Sequence, residues 1–560
     1  MKWLSGSISL SREGKCLIVL ALVAITVLLY ANSLGHGFVF DDELLINDQG
    51  YILKDIKNVF ASAGSLVFQD KTSASFYRPV LVLSYFVDYQ LGGGGAFAFH
   101  LSNLLFHLIA VLLVFYAAFL IFKDTLSAFL AALFFSVHPA QAEAVAWVSG
   151  RNDPLMLFFV LLSFIFFMKY REKDGRAMLW ASGLAFFLAL FTKESALISP
   201  LLFFGYDLFY TARQKERRNR SELFKPYIAF TAFIFLYVII RLMFVKGGSG
   251  QPGGITAMPL IYFFYLKTIV LPAGFSVVPL VKTQLSAFDY FIRSLPLFIL
   301  IWLIFYARKK MPLVSFGLWW GLLALLPVSG MISMPVLAME HRLYGAMFGF
   351  SLVFGAISEY LLRRYSKYSS GIILVLVVIL GLFGWMSFQR SRLFSSPLVL
   401  WETSARNNSS SDLIYTNLAA AEIKLHNYQL AERQLKKALQ IRYSNEIAHY
   451  NLGYLYLLTG RKKMAKEEFE KAVGLDPKYI KAHYNLGIIA LNDRDNRAAI
   501  SEMKTILMLK PGYLPALGTL GDAYYNLRED GRARAYYKEV LKLDPENSHA
   551  REMVGKLKLE

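Results

Sequence analysis

The chain has 560 residues, of which 56% are hydrophobic and 15% aromatic, and its 59 Lys and Arg exceed its 40 Asp and Glu to give a formal charge of +19. That apolar content excludes a water-soluble globular protein and marks a polytopic membrane protein. The basic excess is gathered into clusters, as expected of cytoplasmic loops, so it speaks of topology and anionic lipid and gives no reason to expect nucleic acid.

Apolar runs near the roughly 20 residues that cross a bilayer occur at Cys16–Tyr30, Leu104–Phe122, Leu126–Val137, Leu155–Tyr170, Met178–Phe191, Leu197–Tyr210, Tyr227–Val245, Tyr290–Tyr306, Leu313–Val328, Leu343–Leu362 and Ile372–Phe388. They predict about eleven crossings. Basic residues at Arg12 and Lys15, Lys169–Lys173, Arg213–Arg220, Arg308–Lys310 and Arg363-Arg364 then share the side of a cytoplasmic amino terminus, provided that Pro259–Pro279 dips in without crossing. The alternative is that Pro259–Pro279 forms a pair of crossings. Arg390 and Arg392 fall outside and mildly violate the rule. The first run reads as an uncleaved anchor, with Ala31-Asn-Ser33 a poor cleavage site. The lone cysteine, Cys16, excludes a disulfide framework or a thiolate metal site.

Eleven positions after the end of that first run come three acids, Asp41-Asp42-Glu43, at the bilayer edge. Acids there can act as a base or hold a cation where a lipid-borne substrate would arrive. On position alone a solvated loop with a helix-capping Asp is the favoured reading, and the rest of the chain must decide. Other polar groups map to the same outer face: Tyr77-Arg78-Pro79, His100, Asn103 and His107, the dense loop from His138 through Glu143 and Trp147 to Arg151 and Asp153, Lys193-Glu194, and Glu340-His-Arg342-Leu-Tyr344. Each ionisable group at such depth costs up to about 2.5–3.5 kcal/mol on insertion scales, and so many on one face imply a polar cavity. His100 and His107 lie two turns apart on one helical face, where packed, hydrogen-bonded histidines are expected rather than metal ligands. Lys246–Gly254 is glycine-rich but lacks the Lys-Ser/Thr ending of a phosphate loop.

Beyond about residue 400 the composition turns polar and repeats every 34 residues: Leu452-Gly453, Leu486-Gly487 and Leu520-Gly521, then Ala465, Ala499 and Ala533, then Pro477, Pro511 and Pro545. A degraded earlier copy holds Leu418, Ala431 and Ala438. This spacing resembles the tetratricopeptide repeat, with small residues where two antiparallel helices touch, large ones where they interlock (Tyr456, Phe469, Tyr524, Tyr537) and Pro ending the second helix. The reading gives a transmembrane domain at 1–392, a linker at 393–411 and a repeat domain at 412–560, with repeats starting near 412, 446, 480 and 514 and a capping helix. A groove for an extended peptide or partner protein is expected on the solenoid. Trp401 is placed to pack on the first repeat or to sit at the interface.

Phe40-Asp41-Asp42, Tyr77-Arg78-Pro79, His138-Pro139 to Asp153, Lys193-Glu194, Glu340 to Tyr344 and the repeat tail together resemble a bacterial-type member of the transmembrane and tetratricopeptide-repeat-containing protein family. Its membrane half belongs to the GT-C superfamily of glycosyltransferases and resembles protein O-mannosyltransferases. The resemblance implies an all-α, GT-C-type helix bundle in the inner membrane followed by an extracytoplasmic repeat solenoid. It also implies transfer of a sugar from a polyprenyl-phosphate donor to Ser or Thr of an exported protein. The chain departs from the animal proteins in having only about four repeats.

The chemistry is consistent with that implication. Phosphate is already a good leaving group, so one carboxylate base suffices, and Asp41 opposite the lipid phosphate would make the displacement inverting. Asp42 is then a partner, a cation ligand or a cap. Glu143 is a second partner or cation ligand, and Asp153 is expected to pair with Arg151. Arg342, Arg151, His138 and Lys193 are candidates for the phosphate, with Arg78, Glu340 and Tyr344 as orienting residues. A divalent metal is compatible with these acids, but no spacing supports one. Two other readings remain: a non-catalytic membrane-anchored scaffold for envelope proteins, and a lipid-linked-sugar transporter or polymer ligase. Polar groups confined to one side count against transport.

Overall fold

The computed structural model of the protein describes residues 12–48, 50, 52–62, 77–173, 175–209, 220–244, 254–282, 285–331 and 336–557. Among the described residues there are helices and no strands. The basic residues 213–219 and the glycine-rich stretch 246–253 lie outside them. The chain divides into two compact units, Met1–Asn407 and Asn408–Glu560.

In the first unit seven helices are long and apolar enough to cross a membrane, among the described residues: Cys16–Gly35, Ala96–Phe122, Val148–Lys173, Leu223–Phe244, Ala287–Ala307, Glu340–Arg364 and Ser366–Ser395. An eighth is made if Thr125–Val137 and Pro139–Ala146, bent by 55° at His138, count as one. Arg176–Leu190, Met258–Val270 and Pro312–Val328 are shorter apolar helices. Two expected segments differ from plain spans. Pro259–Pro279 holds one helix of 13 residues that stops at Leu271, about 20 Å long against a hydrocarbon core of about 30 Å. Within Leu197–Tyr210 the described residues form the end of the 3-10 turn Glu194–Ile198 and the 11-residue helix Ser199–Phe209.

The bundle is glued by aromatic interlock and close backbones. Trp320 stands fully buried between Phe164 (5.2 Å between centroids) and Phe348 (4.7 Å). A Cβ on Gly317 would meet the Gly349 carbonyl at 2.5 Å, so these glycines let Pro312–Ala324 and Tyr344–Arg364 cross backbone to backbone, the small-residue packing that lipid-embedded helices favour. The segment 393–411, expected as a linker, is largely helical instead. Pro397–Asn407 belongs to the membrane unit, tied to it by Val277 N–H donating to Ser404 Oγ (3.2 Å) and Asn407 Nδ2 donating to the Phe275 carbonyl (2.8 Å).

In the second unit, helices pair as Asp412–Lys424 with Tyr428–Ile441, Glu446–Leu458 with Lys462–Leu475, Ile480–Asn492 with Asn496–Leu509, and Leu514–Asn526 with Asp530–Leu543, closed by Ser548–Lys556. The repeated glycine has a steric cause. A Cβ on Gly453 would meet Phe469, one on Gly487 would meet Met503, and one on Gly521 would meet Tyr537. Each large residue follows its glycine by the same interval, so every first helix offers a notch that the second fills. In the degraded first repeat Ala419 takes the glycine's place, and the residue at that interval is the smaller Leu435; both are fully buried.

Candidate functional site

Phe40 sets the geometry just beyond the carboxyl end of the first apolar helix. Its backbone is left-handed, with φ 55°, a conformation that costs a residue with a side chain about 1–2 kcal/mol and must be held by its surroundings. Its ring stacks on Trp147 at 5.5 Å and meets Trp401 edge-on at 5.2 Å. Trp401, 2% exposed, thus packs on Phe40 within the membrane unit.

The two acids that follow have different surroundings. Asp42 is fully buried; its Oδ1 accepts from the Ser149 amide (2.8 Å) and hydroxyl (2.5 Å), and its Oδ2 accepts from the Val39 amide (3.2 Å). It staples the loop after the first apolar helix to the loop that carries Ser149. Asp41 is half-buried, and among the described residues no hydrogen bond or ion pair engages its carboxylate. Burial, and then the charge of Asp42, push the Asp41 carboxyl up to about 8. Burial pushes Asp42 up to about 6 against the opposing Ser149 hydroxyl and the Val39, Ser149 and Val148 backbone contacts. A carboxylate in the range of Asp41 is a competent acceptor for a hydroxyl proton.

The candidate cations separate in the same way. Arg342 Nη1 donates to the carbonyls of Val336 (3.0 Å) and Leu337 (3.2 Å), and among the described residues no carboxylate lies within ion-pair distance of it. It lines a narrow cavity of ≈ 30 Å³ together with Lys193 and Asp153 at one part and Leu157, Val160, Leu202, Trp320 and Val328 as apolar wall. Lys193 Nζ donates to both oxygens of Asp153, at 2.6 and 2.7 Å. A guanidinium carries five donors, so two carbonyl contacts leave Arg342 with N–H groups for an anion.

The other expected site residues are engaged elsewhere. Arg151, fully buried, donates through Nε to Asn103 Oδ1 (2.6 Å) and through Nη2 to the Phe99 carbonyl (2.7 Å), and it pairs with Asp88 at 2.5 Å. It knots the second loop and is not turned to a phosphate, nor is Asp153 its partner. His138 is fully buried with both ring nitrogens occupied, by the Ile269 carbonyl (3.0 Å) and the Ala140 amide (3.2 Å). Glu143 accepts from the amide and Nδ1 of His341 (3.0 and 3.1 Å), so it holds the Glu340–Leu343 turn. Glu340 pairs with Arg390, which also donates to the Pro272 carbonyl, and Tyr344 shares a 2.7 Å hydrogen bond with His107. Neither flanks Arg342 as an orienting group; the two carbonyls do that. Arg78 donates to Glu194 Oε2 at 2.7 and 3.0 Å.

His341, to which the sequence reading gave no role, joins these parts. Its ring lies 5.4 Å from Trp147 edge-on, and its Nε2 is 3.9 Å from Asp153 Oδ2, the partner of Lys193. Asp41 does not line the cavity; Phe40, Trp147, His341 and Asp153 connect it to the wall. Asp88 and Arg390 were also missed. The signal for Asp88 was present, since an acid inside an apolar helix demands a buried partner. Among the described residues no three His, Cys, Asp or Glu side chains converge on a metal position.

The tetratricopeptide repeat family matches residues 447–479 and 515–547. Protein O-mannosyl-transferase TMTC3 of Homo sapiens is 24% identical over 489 residues, 78% of this chain and 52% of its own length. Protein O-mannosyl-transferase Tmtc2 of Drosophila melanogaster is 27% identical over 315 residues, 52% of this chain and 32% of its own length. TMTC3 of Mus musculus is 33% identical over 166 residues, covering 29% and 18%. The chain thus spans about half the length, or less, of these curated relatives.

Proposed function

We propose that this chain, a relative of the transmembrane and tetratricopeptide-repeat-containing protein O-mannosyl-transferases, is an integral-membrane glycosyltransferase of GT-C type that moves mannose from a polyprenyl phosphate to Ser or Thr hydroxyls of an exported protein. The observation that carries the reading is selective pairing. Among the ionisable residues of the outer cluster, Asp42, Glu143, Arg151, Asp153, Lys193 and Glu340 are each engaged by a neighbour, whereas among the described residues no hydrogen bond or ion pair engages the Asp41 carboxylate and no carboxylate pairs with Arg342. An unpaired half-buried carboxylate and an unpaired guanidinium are costly to keep unless a substrate completes them.

In this reading the lipid tail lies along the apolar wall and its phosphate meets Arg342, with Lys193 beside it. The acceptor oxygen attacks the anomeric carbon as the bond to phosphate oxygen breaks. The hydroxyl proton passes to Asp41, and the departing phosphate takes its charge to Arg342. Attack opposite the leaving group inverts the anomeric centre. The amino terminus is cytoplasmic, the membrane is the inner membrane, and the outer cluster and repeats face outside. The exposed face of helix Glu446–Leu458, with Ile447, Tyr454 and Leu458 each about two-fifths exposed, offers the repeat groove an apolar strip for the acceptor.

The test is to incubate the purified protein with a panel of polyprenyl-phosphate sugars and exported-protein peptides. Wild type should transfer mannose to Ser or Thr, and Arg342→Gln should lose about 10²–10³ in rate, as when one charge-stabilising donor is removed. Transfer by Arg342→Gln at the wild-type rate would contradict the phosphate assignment. Failure with every donor would favour a scaffold.

A further inference from the structure

We infer that Trp401 is a positioning residue for Asp41, acting through the strained turn at Phe40; the inference rests on the proposed role of Asp41 as base. With no partner on its carboxylate among the described residues, Asp41 takes its position from the backbone around it. Upstream, that backbone is anchored by His100 on the Gly37 carbonyl and by Phe38 edge-on to Phe99, and at the turn itself three contacts matter. Asp42 pins the downstream side to Ser149, and Trp147 covers one face of the Phe40 ring, but both contacts come from a single short loop. The third comes from far along the chain. Trp401 presses its edge on Phe40 from helix Pro397–Asn407, which Ser404 and Asn407 tie to the backbone at Val277 and Phe275.

A left-handed non-glycine residue persists only where its surroundings over-determine it. Loop 147–149 is itself tied to the helix Ala96–Phe122, with Asn103 Nδ2 donating to the Trp147 carbonyl at 2.9 Å, so its two contacts with the turn share one anchor. Trp401 belongs to a separately anchored helix, so it converts a tethered turn into a fixed one. Removing the indole opens one side of the Phe40 ring, lets φ relax to the ordinary region and admits water to the neighbouring carboxylate. The expected signature is loss of turnover without loss of binding, and a change in the pH at which the base titrates.

The experiment compares full-length wild type, Trp401→Ala, Trp401→Phe and Asp41→Asn in transfer from a mannosyl polyprenyl phosphate to a Ser/Thr peptide, across pH. Trp401→Ala should lower kcat about tenfold or more, as ångström-scale misplacement does, with KM for donor and peptide within about twofold. The acid limb of kcat/KM should move to lower pH, because hydration weakens the burial that holds Asp41 near 8. Trp401→Phe, which keeps an aromatic edge, should show smaller changes in the same directions and decides the matter if the alanine variant does not fold. Wild-type kcat and an unmoved acid limb in the folded Trp401 variants, with Asp41→Asn inactive, overturn the clamp alone. Undiminished transfer by Asp41→Asn overturns the base assignment and the clamp with it.

Discussion

The solenoid and the polar cluster of the membrane unit both depend on complementary partners, but they find them at different ranges. In residues 412–557 each notch and the side chain that fills it belong to one helix pair, so the same solution recurs through Gly453 and Phe469, Gly487 and Met503, and Gly521 and Tyr537. In the membrane unit each partner is unique and distant: Arg78 meets Glu194 across 116 positions, and His341 meets Glu143 across 198. Repetition makes a robust support. Unrepeated pairing makes a polar cluster in which two groups can be left without an ionic partner.

The comparison breaks first at Arg151. If the unique pairs are structural, Asp88→Ala strands a fully buried guanidinium and should cost about 3–5 kcal/mol, read as loss of folded, monodisperse protein in detergent. Asp42→Ala should also weaken the fold, but by less, since it removes acceptors for Ser149 and Val39 without leaving a full buried charge. Asp88→Ala protein with wild-type thermal stability would remove the distinction between holding and reacting residues.

The solenoid should respond in acceptor binding. Replacing Tyr450 and Tyr454, which stack at 6.5 Å on the outward face of Glu446–Leu458, with Ala should raise KM for an exported-protein acceptor about tenfold, the weight of about 1.4 kcal/mol. The donor KM should not change. A changed donor KM with unchanged acceptor KM would place these tyrosines in a different task.

The smallest effect concerns a pair that does recur. His449 meets Glu468 and His483 meets Glu502, each at 2.6 Å, with the other ring nitrogen on the carbonyl of Tyr443 or Pro477. The hydrogen bond to Glu502 raises the His483 pKa above its ordinary value, against the opposing effect of burial. A raised folded-state pKa contributes stability that is complete below about pH 6.5, the unfolded value, and is lost as pH rises through the folded one. Hydrogen exchange in Ile480–Asn492 and Asn496–Leu509, corrected for its intrinsic pH dependence, should therefore speed up modestly above that range. His483→Gln should flatten the response.

Legibility followed range. The repeat helices could be read because small and large residues recur at a fixed interval, and the positions where the solenoid helices begin follow from it. The crowding of polar groups on one face was readable too, since each carries a desolvation cost. Which of them were spent on one another was not. Arg151, His138 and Lys193 look alike as candidates for a phosphate; only the fold shows Arg151 on Asp88, His138 on two backbone groups and Lys193 on Asp153. Composition had no means of finding the bend at His138, the helix Pro397–Asn407 or the left-handed Phe40.

The central claim is that of two adjacent acids one reacts and the other holds. Initial rates of mannose transfer from a polyprenyl phosphate to a Ser/Thr peptide, measured for Asp41→Asn and Asp42→Asn at matched amounts of folded protein, test it most directly. The account predicts that Asp41→Asn folds normally and loses transfer by at least about 10², while folded Asp42→Asn retains a measurable rate. Full transfer by Asp41→Asn, or retained transfer there with abolition in folded Asp42→Asn, would contradict it.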